Sequence, residues 1–296
     1  MPVCVGDVIG GRYRLIEQIA KGGQAEVWEA RQAPFEQRVA LKILIPRCGE
    51  LGIERLYREA QVLAGLNHPN IVRLIDCGEL PGGSCYLAME FIEGRRMKAV
   101  LRERKHTPAA LLRLCDQVCA GLEAAHQLGV IHRDIKLSNI LIHRPSGVSE
   151  QARVVDFGIA RLMEGDPGLT SEGVVLGSPR FMAPELIRGE PLDARVDIYA
   201  VGVILYCCLA GRYPYNGRTA HEIMNGHLKK PLPPFRVSET LPDPEGLIAL
   251  VERALARNRD ERFGSMSELR EALQPFISEP SADGSDKDGD RHAARG

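Results

Sequence analysis

The sequence predicts an α+β chain in two lobes, a small β-rich lobe with one key helix followed by a larger, mainly helical lobe. Three observations carry this reading. Short β-type runs separated by Gly and Pro fill the chain from Tyr13 to about Met89. One stretch with apolar residues three or four apart interrupts them. After Glu93-Gly94 the periodicity turns helical. The chain therefore divides into a lead-in over residues 1–12, a small lobe over 13–88, a connector over 89–94, a large lobe over 95–277 and a tail over 278–296. A ligand is expected in the cleft between the lobes.

Taken in order, the lead-in begins Met1-Pro2-Val3-Cys4 and lacks the basic and apolar regions of a signal peptide. The β-type runs are Val39-Ala-Leu-Lys-Ile-Leu, Ile71-Val-Arg-Leu and Cys85-Tyr-Leu-Ala-Met. Between the first two, Ile53, Leu56, Ala60 and Leu63 mark one face of a helix. In the large lobe, Leu111, Cys115, Val118, Leu122 and Ala125 step by four and three until Gly129 supplies a stop. The tail holds five acids against three Lys/Arg and no Val, Ile, Leu, Phe, Tyr or Trp, so it is expected to be disordered.

Composition narrows the function. The 296 residues carry 38 Lys+Arg against 39 Asp+Glu, a net charge of −1, which argues against a broad grip on nucleic acid or anionic lipid. The longest mainly apolar run, residues 198–211, is shorter than the roughly 18 residues of a membrane helix. A soluble, cytoplasmic chain with no membrane segment is expected. Its eight cysteines form no Cys-x-x-Cys pair and fit a reducing compartment. Cys115 and Cys119 lie one helical turn apart, which suits a two-thiolate metal site or plain packing, and packing is the preferred reading.

Chemistry enters first at Ile19, Ala20, Lys21, Gly22, Gly23, Gln24, Ala25, Glu26 and Val27. A glycine pair between two β runs suits either an ordinary hairpin or a loop whose backbone approaches a phosphate. Lys42 shares a strand face with Ala40, opposite Val39, Leu41 and Ile43, either as an edge charge or as a ligand. Glu59 falls on the apolar face of its helix, where a carboxylate needs a cation or a rim position open to water. Lys42 is the obvious cation. The strongest signal is His132-Arg-Asp-Ile-Lys-Leu-Ser-Asn139, followed by Val154-Val-Asp156-Phe-Gly158. Asp134, Lys136, Asn139 and Asp156 there supply a base, a cation and two oxygen ligands of the kind Mg²⁺ takes.

These motifs resemble the eukaryotic-like protein kinases, and most closely the bacterial Ser/Thr kinases of that superfamily. The resemblance covers about 13–276. It implies the two-lobed protein-kinase fold and transfer of the ATP γ-phosphoryl to protein Ser or Thr hydroxyls, with Mg²⁺ or Mn²⁺ as the metal. Lys42 then holds the phosphates and pairs with Glu59. Met89, Glu90 and Ile92 form gatekeeper and hinge, and Val27, Ala40 and Leu141 sandwich adenine. Asp134 is the base, Lys136 screens the transferring phosphate, and Asn139 and Asp156 bind metal. Leu63, Leu74, His132 and Phe157 stack as a spine between the lobes. Glu185, closing the activation segment, pairs with Arg262, and Asp197 and Gly202 open a long buried helix. A phosphate on Thr170 or Ser171 would meet Arg133, unless Glu172 supplies that charge.

Four positions depart from the family pattern: Ala20 and Ala25 replace glycines of the phosphate loop, Leu137 a frequent proline and Phe181 a tyrosine. None removes a group that touches the phosphate or the metal. Lys136, two residues past Asp134, is the Ser/Thr type and disfavours a tyrosine kinase. The docking segment Gly177-Ser-Pro-Arg-Phe-Met-Ala-Pro-Glu185 disfavours a small-molecule phosphotransferase. The alternative of a different class is a catalytically weak pseudokinase scaffold that binds nucleotide and partner proteins. Expected partners are protein substrates, with self-association for autophosphorylation in signal transduction.

Overall fold

The computed structural model describes residues 3–22, 25–44, 50–157 and 178–277, without the side chains of 50–53, 55 and 59. The tail over 278–296 and most of the activation segment lie outside these residues, as do the expectations placed on them.

The small lobe is one antiparallel sheet in the order β1-β2-β3-β4-β6-β5. Its strands are β1 (Val8–Ile9), β2 (Tyr13–Lys21), β3 (Ala25–Gln32), β4 (Gln37–Leu44), β5 (Leu74–Leu80) and β6 (Ser84–Glu90). The first strand lies in the lead-in and pairs Val8 with Arg14. Two residues are too few for a period-2 pattern to show in sequence. In β4 the alternation is realised: Val39, Leu41 and Ile43 are buried against Tyr13, Leu15, Trp28 and Tyr86, while Ala40 and Lys42 face the other way, half-buried. Helix α1 (Glu50–Ala64) packs against β5, with Leu56, Ala60 and Leu63 buried.

The run at 71–74 behaves differently from its strand pattern. Only Leu74 joins β5. Ile71 instead forms a parallel bridge with Val154, where Val72 N–H donates to Val154 O at 2.9 Å and Val154 N–H to Asn70 O at 2.8 Å. Periodicity gives the extended conformation but not the partner. A Cβ on Gly121 would lie 3.0 Å from Asn70 O, so glycine lets the next helix pass closely beneath this bridge.

The large lobe begins with β7 (Arg95–Arg96), α2 (Met97–Glu103) and α3 (Pro108–Gln127), the last capped by Thr107 and stopped at Gly129, φ +74°. Strands β8 (Ile140–His143) and β9 (Gln151–Val154) complete a second sheet, β7-β8-β9. Helices α4 (Pro184–Arg188), α5 (Arg195–Ala210), α6 (Ala220–Lys229), α7 (Pro244–Ala254) and α8 (Met266–Ile277) follow. Helix α5 is apolar around nearly its whole circumference and is buried accordingly. A Cβ on Gly202 would sit 2.9 Å from Ala254 Cβ, so this glycine sets how closely α5 and α7 pack. Cys115 and Cys119 are fully buried in the core, with Cys115 Sγ 3.7 Å from Cys208 Sγ. Among the described residues, no helix is long and apolar enough to cross a membrane.

Candidate active site

The loop between α3 and β8 carries the densest chemistry. Arg133 sits at φ +63°, a left-handed conformation that costs a non-glycine residue about 1–2 kcal/mol. Asp197, at the start of α5, holds the loop there. Its carboxylate accepts the His132 N–H at 2.8 Å and the Arg133 N–H at 2.9 Å, and bonds His126 Nε2 at 2.8 Å. Asp197 is 1% exposed. Burial alone would raise its pKa, but the hydrogen bond and charge of His126, with His132 behind, hold it below the usual range.

His132 is fixed by two bonds. Its Nε2 lies 3.1 Å from Val155 O, and its Nδ1 accepts from the Asp134 N–H at 3.3 Å. Burial lowers its pKa, so the ring is neutral with the proton on Nε2. Phe157 lies against it at a tilt of 38°, ring centroids 4.6 Å apart, and shares one buried core with Leu63 and Leu74.

Around Asp134 the predicted residues converge. Lys136 Nζ lies 2.6 Å from Asp134 Oδ2. Asn139 Nδ2 donates to Asp134 O at 3.0 Å and to Oδ2 at 3.3 Å. Asn139 is buried, and its backbone links Lys136 O to the Val155 N–H, both at 2.9 Å. Because Nδ2 faces Asp134, Oδ1 remains as an acceptor. Asp156 follows β9 at φ +59°, a second strained residue. Its Oδ1 takes Lys42 Nζ at 2.9 Å. Desolvation would raise the Asp156 pKa; the Lys42 charge and hydrogen bond outweigh it and lower it. The second oxygen of Asp156 and Oδ1 of Asn139 are hard donors. Two such ligands suit Mg²⁺, which is commonly held by one or two carboxylates together with phosphate.

The nucleotide face is assembled from the small lobe. Val27 pairs with Lys42 and Ala40 with Met89, so the half-buried faces of Val27, Ala40, Lys42 and Met89 adjoin. Leu141, half-buried on β8, follows Asn139 by two residues. The β2–β3 hairpin pairs Ala20 with Val27 and Lys21 with Glu26, and the Gly22 N–H donates to Ala25 O at 2.9 Å. Ala20 and Ala25 thus lie in paired strand, where a Cβ is ordinary. Ile19 is exposed, and Lys21 Nζ pairs with Glu26 at 2.9 Å. Gly23 and Gln24 fall outside the described residues. Glu90 is partly spoken for: its N–H donates to Arg73 O at 3.0 Å, and its Oε1 accepts from the Arg73 N–H at 2.9 Å and from Arg153 at 3.2 Å. Residues 91–94, including Ile92, lie in no strand or helix. Glu59 is on α1, but its side chain is not described, and neither is the segment with Thr170, Ser171 and Glu172.

Further into the large lobe, Arg262 forks onto Glu185 with bonds of 2.6 and 2.7 Å, both residues buried. The roles of His126 and of the Arg73–Glu90–Arg153 contacts were not read from sequence. His126 sits in the last turn of an apolar helix, 71 residues from its partner, and no local signal marks it.

A curled sheet, a helical lobe and this cleft define a protein kinase domain. Sequence comparison agrees: the family described as protein kinase domain matches residues 13–274, and the chain belongs to it. It stands with the bacterial Ser/Thr kinases. It is 39% identical over 280 residues to serine/threonine-protein kinase pkn2 of Myxococcus xanthus, covering 93% of this chain and 34% of that protein. It is 36% identical over 273 residues to serine/threonine-protein kinase PknD of Mycobacterium tuberculosis, covering 90% and 40%. The chain thus spans well under half the length of these two relatives. Among solved structures, Rad53 1-466 in complex with AMP-PNP superposes with a TM-score of 0.70 at 27% identity, covering 90% of this chain and 66% of that one.

Proposed function

We propose that this chain is an active serine/threonine protein kinase that uses ATP and Mg²⁺ in the cytoplasm, phosphorylating proteins and itself in signal transduction. The observation that supports it most is the Asp134 carboxylate, braced by Lys136 at 2.6 Å and by the buried Asn139. Lys42 and Asp156, paired at 2.9 Å, supply a further cation and ligand. Relatives named as Ser/Thr kinases support the same class over a pseudokinase. We keep residues 13–88, 89–94 and 95–277 as small lobe, hinge and large lobe.

Asp134 accepts the proton of the substrate hydroxyl at its carboxylate, and Lys136 neutralises charge developing on the transferred phosphoryl. Lys42 holds the inner phosphates, and Glu59 steadies Lys42. Val27, Ala40 and Leu141 bracket the base, and the Glu90 carbonyl and Ile92 backbone bond its edge. Asn139 and Asp156 would hold Mg²⁺, which supplies phosphate charge neutralisation when bound. The fixed geometry contributes by orienting groups before reaction.

Incubation of the purified chain with radiolabelled ATP, Mg²⁺ and a protein substrate tests this. Label should appear on the substrate and on the chain, at Thr170 or Ser171 by mass spectrometry, and vanish with Asp134→Asn. No label anywhere would overturn the proposal.

A further inference from the structure

Beside Asp134 and Lys136 runs an open groove of about 1060 Å³ whose lining, among the described residues, contains six Lys/Arg and no Asp or Glu. That exceeds the roughly 300–1,000 Å³ of small-molecule sites and leaves room for an extended chain. Lys136 is one of the six, already paired with Asp134. Lys98 and Arg102 lie on α2 and Arg104 at its C-cap; Arg180 stands in the Pro179–Phe181 turn and Arg212 just past the end of α5.

These charges are held for use. Among the described residues, no carboxylate ion-pairs with Lys98, Arg102, Arg104, Arg180 or Arg212. Glu103, which lies between Arg102 and Arg104 in sequence, is taken by Arg95 at 2.6 Å and Lys105 at 3.7 Å. His106, on the same lining, bonds Glu150 at 2.7 Å. Arg180 is oriented by Asn216 and by the Tyr213 ring, 4.5 Å from its centroid. Arg212 is oriented by Pro234 O at 2.9 Å. Leu101, Leu111 and Ile223 give the groove an apolar component against which an extended peptide can lie. The chain as a whole carries −1, so the cations are concentrated here against the background.

We infer that this kinase selects Ser/Thr sites flanked by acidic residues, the groove formed by α2, Arg180 and Arg212 receiving the flanking carboxylates. The inference rests on the proposed kinase activity and names the substrate class that activity serves. Cations lacking acidic partners attract carboxylates and repel basic peptides, so selection works in both directions.

Three Ser peptides that differ only in having Asp/Glu, Ala or Lys/Arg flanks should be phosphorylated by the full chain with kcat/KM falling in that order. The acidic peptide should lead the neutral one by about tenfold, or about 1.4 kcal/mol. The Lys98→Glu/Arg102→Glu/Arg104→Glu variant should abolish or reverse the order of the three peptides. The Gln triple variant, which adds no charge, should flatten the order and serves where the reversal fails to fold. Fluorescence anisotropy with Ala in place of the phosphoacceptor Ser reads the same order without turnover, and raised salt should compress it. Equal binding of all three peptides, or an order unchanged in both variants, overturns the inference. Absence of any phosphorylation would refute the kinase reading alone, since anisotropy still decides the groove.

Discussion

Lys42 Nζ donates to Asp156 Oδ1 at 2.9 Å, joining the centre of the small-lobe sheet to the segment that leaves β9. The pair sets the electrostatics of the cleft. Without the lysine, a half-buried carboxylate would ionise less readily, because desolvation already pushes its pKa up.

Asp134→Asn and Asp156→Asn should each lower kcat by about a hundredfold or more, the low end expected for losing a positioned acid–base or charge-holding group. Both side chains are about a fifth to a quarter exposed, so thermal stability should fall little. A retained tenth of kcat in either variant would mean that less than about 1.4 kcal/mol of transition-state stabilisation was lost, and the assigned role would be wrong.

Lys42 and Glu59 should behave as one unit. The losses in kcat/KM of Lys42→Met and Glu59→Gln should sum to more than the loss in the double variant. Full additivity of the logarithms would show that Glu59 serves something other than Lys42.

Acid should weaken the fold well above the range of the carboxylates. His227 is fully buried, its Nδ1 2.7 Å from the Tyr199 hydroxyl, and burial pushes its pKa from 6.5 down to about 4. The folded state therefore binds fewer protons than the unfolded one. Stability present above about pH 6.5 declines toward pH 4 by up to about 1.4 kcal/mol per pH unit from this group. His132 is shifted in the same direction. Denaturant titrations from pH 7 to 5 should show the slope, and His227→Phe should be less stable at pH 7 but flatter with pH. An unchanged slope in that variant would acquit His227.

Breaking the Glu185–Arg262 fork should be costly. Arg262→Met strands a buried carboxylate and releases Arg262's bonds to Ala256 O at 2.7 Å and Arg195 O at 3.0 Å. A loss of about 3–5 kcal/mol is expected in urea unfolding. Adding Glu185→Leu should restore part of it. No recovery in the double variant would place the cost in the carbonyl bonds rather than the charge.

Much of this architecture was legible because its signals are local. His132 through Asn139 and Asp156 through Phe157 are contiguous motifs, and the α3 stripe and the β4 alternation each repeat within one element. What stayed hidden depends on distance along the chain. Asp197 was placed at the head of a buried helix, but nothing near it says that its carboxylate fixes a backbone 64 and 65 residues earlier. The basic groove draws on α2, α5 and the Pro179–Phe181 turn, and charges scattered among ordinary surface residues do not announce that they share a wall. The Ile71 run shows the same limit, since an extended segment carries no mark of the strand it will meet.

The Ile71–Val154 bridge has a mechanical meaning. Besides side-chain ties such as Lys42–Asp156, the lobes are joined covalently at 91–94 and by backbone hydrogen bonds at 70–72, where β9 is also paired to β8. Val154 is thus tied by main chain to both lobes, two residues before Asp156. Main-chain bonds do not depend on side-chain identity, so the placement of this proposed metal-binding carboxylate relative to both lobes is proof against most substitutions nearby.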